Sequence, residues 1–141
     1  MNLKFLFLFL AGVLPIQGAD WLQFRGPESS GFSAESNVPS TLQLQGSSNW
    51  KTELPGRGLS SPIIVGERVF VSCSSGLKQQ RLHLICLNAR DGSRLWERQF
   101  WATGRTMCHD KTSVAAPTPA SDGKSVVAIF SSSDVACLDL E

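Results

Sequence analysis

The chain has 141 residues, enough for one ordinary domain, and its 42% hydrophobic and 18% charged residues are the balance of a globular protein. Thirteen Lys and Arg against twelve Asp and Glu leave a formal net charge of +1, with the basic residues scattered along the chain. Nucleic-acid binding is therefore not expected, because it draws its affinity from clustered cations that displace counterions from phosphate.

Lys4 and the apolar run over residues 5–14, followed by Pro15 and the small pair Gly18 and Ala19, predict a secretory signal over residues 1–19. A membrane span needs about 20 apolar residues, so this run is too short to remain as an anchor. No stable membrane span is expected after cleavage. No Cys follows the run to carry a lipid. Residues 20–48 are rich in Ser, Gly, Pro and Asn, hold Trp21 and Phe24 as isolated aromatics, and read as an irregular, surface-hugging lead-in.

From residue 49 the punctuation is that of an all-β protein. Strand-like runs are predicted at 50–54, 63–65, 69–73, 82–87 and 95–101, separated by Gly, Ser, Asn and Asp. No stretch carries a helical period. Pro55, Pro62 and Pro117 push the residues before them toward extended backbone.

The chain also repeats itself. Residues 61–71 (SPIIVGERVFV) and 116–129 (APTPASDGKSVVAI) each read as strand, Gly turn, strand, and each is followed by a Ser-rich connection. A third strand then ends Cys86-Leu87-Asn88 in the first copy and Cys137-Leu138-Asp139 in the second. Pro117 follows Pro62 by 55 residues and Cys137 follows Cys86 by 51, near the roughly 40 to 50 residues of one propeller blade. In the first copy Asp91-Gly92 predicts a tight hairpin turn. Trp96, four residues on, is placed to pack between neighbouring sheets. The expected fold is a partial β-propeller over residues 49–141, with one complete blade at 59–101 and part of a second at 115–141.

Cys73, Cys86, Cys108 and Cys137 allow three disulfide pairings, among which the sequence does not choose. Cys73 and Cys86 lie in apolar runs and read more simply as buried free thiols. His83 and Cys86 have a His-x-x-Cys spacing, and Cys108-His109-Asp110 is a possible ligand cluster, yet no second pair completes a tetrahedral metal set. Arg105 stands where a haem-attachment motif ending Cys108-His109 would need Cys. His83 and His109 are the only imidazoles, and neither lies in a recognisable catalytic motif. His83 alternates with Leu82 and Leu84, so it is expected to face one side of a sheet as a structural or solvent-facing residue. The loop holding Cys108, His109 and Asp110 precedes the second copy. It reads first as a connector, and as a possible loop of the propeller face where ligands or partners bind.

Leu87, Asn88, Asp91, Gly92 and Trp96 form the pattern L-[DN]-x-x-[DT]-G-x-x-x-W. This resembles the tryptophan-docking repeat of β-propellers named for pyrroloquinoline quinone, and Leu138-Asp139 opens the same pattern in the second copy. Residues 21–27 (WLQFRGP) are similar to the opening of secreted bacterial members, with Leu22 where Pro is usual. Residues 50–56 and Ser60-Ser61-Pro62 resemble the next segment.

The resemblance implies one of two branches. One contains alcohol and sugar dehydrogenases that bind the quinone with calcium. The other keeps the propeller without cofactor as an assembly scaffold or protein-binding platform, as in the outer-membrane protein assembly factor. The adjacent Cys-Cys pair of many quinone alcohol dehydrogenases does not occur here, and no calcium ligands can be matched. The expectation is a noncatalytic, exported, periplasmic or extracellular bacterial platform that binds other proteins through its loops and needs no cofactor. The alternative is the N-terminal part of a quinone-dependent oxidoreductase. By the logic of the repeat the chain stops inside its second blade, so these residues are expected to be a truncated portion with exposed strand edges.

Overall fold

A computed structural model describes residues 19–36, 38 and 50–141. The signal expected over residues 1–19 lies outside the described residues except for Ala19, as does most of the stretch from 37 to 49.

β-Branched and aromatic residues alternating with polar ones make the strands. Ile63–Val65 (β1), Arg68–Ser75 (β2), Arg81–Asn88 (β3) and Arg94–Trp101 (β4) form an antiparallel sheet in chain order. Ala120–Ser121 (β5), Ser125–Ile129 (β6) and Val135–Asp139 (β7) form a second antiparallel sheet. Among the described residues the sole helical element is a 3-10 turn at Pro27–Ser29. β5 is only two residues long, where the sequence predicted a longer strand; Pro117 and Pro119 lack the N–H groups that would extend the ladder.

One face of the first sheet presents Phe70, Leu82, Leu84 and Cys86 to Val126, Ala128, Phe130 and Leu140, with Val114 and Ala115 from the connection between the sheets. These residues form one buried core. Two meandering sheets packed face to face are the arrangement of neighbouring propeller blades, and the fold is an all-β partial propeller.

Tryptophan ties the blades together. Trp96 packs against Phe70 with ring centroids 5.7 Å apart and donates its Nε1–H to the Leu140 carbonyl at 3.3 Å. Trp50 donates its Nε1–H to the Ala89 carbonyl at 2.9 Å, and Thr52 donates to the Gly92 carbonyl at 2.6 Å. Leu140 follows Ala89 by 51 residues, the same interval that separates Cys86 from Cys137. The repeat seen in the sequence therefore recurs as a repeat of indole hydrogen bonds.

Residues 50–54 are not a strand, contrary to expectation. They lie along the β3–β4 turn and spend side-chain donors on its carbonyls in place of a backbone ladder. The segment continues to the edge of β2, where Arg57 and Ser74 exchange backbone hydrogen bonds at 2.8 Å. The turn also differs from a two-residue hairpin. Gly92 alone takes a positive φ, of 71°, while the Asp91 carboxylate accepts hydrogen bonds from Ser93 N and Oγ. Gly92 N donates to Asn88 O, Asn88 N to Ser93 O, and the register shifts between Cys86 and Leu87. The lead-in is more integrated than predicted as well: Trp21 pairs with Ile64 at 2.8 and 2.9 Å, and Leu22 O accepts Ser121 N at 2.9 Å, joining both sheets.

Gly92 is the tightest point of this arrangement. A Cβ there would lie 2.3 Å from Trp50 Cε3, on a backbone that already disfavours L side chains. Gly92→Ala is expected to destabilise the chain by about 2–4 kcal/mol, combining left-handed backbone strain with displaced packing. Urea unfolding followed by Trp fluorescence measures it, and an unchanged midpoint would contradict the docking.

Candidate functional site

β2 and β4 run in the same direction, so the β2–β3 loop and the connection that follows β4 emerge at one end of the first sheet. There they enclose an open depression of about 460 Å3, walled by Leu77, Lys78 and Gln79 on one side and residues 105–108 with Asp110 on the other. Of the three residues singled out in the connection, Cys108 and Asp110 line this depression. His109 does not: its Nδ1 accepts the Lys111 N–H at 3.1 Å and its carbonyl accepts Thr112 N, which makes it a turn residue.

Gln79 joins the two loops. With φ at 55°, it turns its side chain inward, where Oε1 accepts Ser74 Oγ–H at 3.0 Å and Val114 N–H at 3.1 Å. Its Nε2 reaches Cys108 Sγ at 3.3 Å. One amide thus binds a strand, the inter-blade connection and the face loop. Leu77, 98% exposed, and Met107, 76% exposed, stand on the rim beside Lys78 and Arg105. Farther along the rim of the blades, Asp134 accepts from Thr103 N, Thr103 Oγ1 and Ser132 Oγ, and these bonds hold its carboxyl below the usual carboxylate range.

The repeat-motif residues have structural work. Leu87 is buried beside Val69 and Ile85, and Asn88, Asp91 and Gly92 shape the docking turn. Trp96 bridges the sheets, Leu138 packs on the shared core, and Asp139 pairs with Ser125 at the exposed end of β7. The four cysteines are free. Burial pushes the Cys73 thiol up to about 11, with Glu97 adding to it, and burial pushes Cys86 up to about 11. Both are poor nucleophiles. His83 and Cys86 fall on opposite faces of β3, so their spacing does not make a ligand pair. Among the described residues no three His, Cys, Asp or Glu side chains converge to hold a metal ion.

The residues that sequence reasoning missed lie on the other face of the first sheet. Register places three rows across β2, β3 and β4: Ser75, Arg81, Trp101; then Cys73, His83, Gln99; then Val71, Ile85, Glu97. Ser75, His83 and Glu97 are the diagonal of this lattice. His83, 2% exposed, holds Glu97 Oε1 on Nδ1 at 2.7 Å and Ser75 Oγ on Nε2 at 2.7 Å. Gln99 Nε2 donates to Glu97 Oε1 at 3.0 Å, and Arg94 pairs with Oε2. The sequence offered one signal, a lone imidazole inside an otherwise apolar run; its partners depend on register, which strand spacing alone does not supply.

A protein-family model described as outer membrane protein assembly factor BamB matches residues 36–141. No curated protein and no solved structure matches the chain significantly. Among the described residues no helix is long and apolar enough to cross a membrane.

Burial works to raise the Glu97 pKa, but hydrogen bonds from His83 and Gln99 and the charges of Arg94 and His83 outweigh it and hold the carboxyl below its usual 4.5. A carboxylate depressed by folding contributes stability above its unfolded pKa and loses it as pH falls through the folded value. Thermal melts from pH 6 down to 3 are expected to show wild type losing stability below about 4.5, with Glu97→Gln less stable at pH 6 and flatter over the acid limb. Parallel curves would remove Glu97 from the account.

Proposed function

Because the chain belongs to the family of the outer membrane protein assembly factor BamB, we propose that it is an exported protein-binding platform whose working surface is the loop face around Leu77 and Met107. The observation that carries this reading is the pairing of exposure with rigidity. Two large apolar side chains project into solvent at 98% and 76% exposure from loops that Gln79 joins through three hydrogen bonds. Loops ordered before binding lose less entropy on capture, and apolar anchors beside an open depression are the usual centres of binding energy. Lys78 and Arg105 on the rim favour a partner segment that brings an apolar residue next to an acidic one.

The role requires neither quinone nor calcium. Export rests on the segment over residues 1–19, and a periplasmic location is the part of this reading that the family supports. The alternative, an oxidoreductase, demands quinone absorbance and calcium dependence, and finding either in the purified protein would replace the platform.

A photo-crosslinking residue at position 77, introduced into the protein expressed with its signal, is expected to capture a component of outer-membrane protein assembly. Leu77→Asp and Met107→Asp are each expected to weaken that capture by roughly tenfold or more, with the thermal midpoint unchanged because neither side chain supports the core. Capture unaffected by both substitutions would rule out this face.

A further inference from the structure

Of the two apolar anchors on the loop face, one carries chemistry. Met107 is the single methionine of the chain beyond Met1, and it stands 76% exposed on the rim of the depression. It is not the soft core filler that methionine often is. Arg105 Nη2 instead donates to its Sδ at 3.5 Å. A thioether is a weak acceptor and a guanidinium is a charged, multiple donor, so the pair is poorly matched as it stands. An oxygen atom on the sulfur would match it.

Both walls of the depression are fixed by segments of the chain itself. Arg57 pairs with Ser74 at the end of β2, Thr103 is tied to Asp134 of the β6–β7 loop, and Gln79 bonds Val114 and Cys108. These loops set the exposure of Met107. The other sulfurs are placed differently: Cys73 and Cys86 are buried, Cys108 Sγ accepts the Gln79 amide, and Cys137 is on β7, outside the depression.

We propose that Met107 is a reversible oxidation site that switches the loop face off, with Arg105 holding its sulfoxide. The inference rests on the platform reading of this face. Hydrogen peroxide is the oxidant. The lone pair of Met107 Sδ bonds to one peroxide oxygen as the O–O bond breaks, and the second oxygen takes the proton of the first and leaves as water. Sulfur loses two electrons and the peroxide gains them. The product puts a polar S=O where an apolar partner residue would pack. Its oxygen accepts from Arg105 in a charge-assisted bond, which occupies the guanidinium that would otherwise meet an acidic partner group. One oxygen atom therefore removes two recognition features at once. Two thiols reverse the step, becoming a disulfide while the oxygen departs as water, which is the reaction of methionine sulfoxide reductases. The core is untouched throughout, because Met107 has no place in it.

The test uses the full chain with the photo-crosslinking residue at position 77. The purified protein is treated with hydrogen peroxide, its sulfoxide is mapped by mass spectrometry, and it is then photolysed in a cell-envelope extract. Oxidation of Met107 is expected in the folded chain, with an unchanged thermal midpoint, and capture of the assembly component is expected to fall roughly tenfold. Dithiothreitol alone should not restore capture, whereas dithiothreitol with a methionine sulfoxide reductase should, since that enzyme acts on no cysteine product. Arg105→Gln is expected to show a smaller fold-loss on oxidation than wild type. Full capture by the Met107 sulfoxide would overturn the switch and leave the platform standing. Recovery with dithiothreitol alone would overturn it as well, by moving the effect to a thiol. So would a Met107 that is oxidised only in urea, or an equal fold-loss in Arg105→Gln. No capture by the untreated protein would remove the platform and the switch together. The wild-type cycle of loss and recovery decides the inference even where Arg105→Gln captures too little to compare.

Discussion

The structure depends on an indole laid against a glycine. Trp50 rests on Gly92, and its N–H is satisfied by the Ala89 carbonyl. Trp96 gives its N–H to the carbonyl of Leu140, 44 residues on and 51 residues after Ala89. Each contact joins a residue that precedes a turn motif by a whole blade to the turn itself, so it measures the interval between blades and fixes their stacking. A large flat side chain serves here because it buries apolar area and still needs one acceptor. The glycine serves because any Cβ would occupy the space of the ring. From this constraint follow the shared core around Phe70 and Phe130, and the emergence of the β2–β3 loop and the connection after β4 at one end.

The strands and their repeat were legible because they are local. Alternating apolar residues between Gly and Asp turns mark β1 to β4 within a residue or two, and the spacing of Pro62 from Pro117 marks the second copy. What was not legible depends on partners distant in the chain. Residues 50–54 have the composition of a strand, but the donors at Trp50 and Thr52 find the carbonyls of a turn some 40 residues later. Likewise Trp21 looks isolated in sequence, yet it completes a backbone pair with Ile64 and brings Leu22 to the core. Asp91-Gly92 marked a turn correctly, while the division of labour within it, positive φ at Gly92 and side-chain acceptance at Asp91, was set by the tryptophan above.

The candidate sites divide along the same line. Position in the topology placed the loop of Cys108 and Asp110 at a face, and the structure puts both on the wall of the depression. Nothing in the loop itself pointed to Gln79, whose importance comes from three bonds to segments between 5 and 35 residues away. The His-x-x-Cys spacing was misleading for a simple reason. An odd separation along a strand puts the two side chains on opposite faces, so one shares the core and the other faces Cys73 and Gln99.

The two faces of the first sheet obey different rules. The face toward β5 to β7 is apolar and closely packed, as blade stacking demands. The opposite face is apolar only near Val69, Ile85 and Leu87, and turns polar toward the loop end of β2. Taking a carboxylate and an imidazole largely out of water costs several kcal/mol before their mutual bonds return any of it, and apolar residues of similar volume often give an equally stable or more stable core. The apolar rows beside this diagonal show that the sheet accommodates such residues. Stability alone therefore does not account for Ser75, His83 and Glu97 in this order. What their arrangement adds is direction: a carboxylate that sets one ring nitrogen as donor leaves the other as acceptor, aimed at the hydroxyl of Ser75, which like Glu97 is only partly buried.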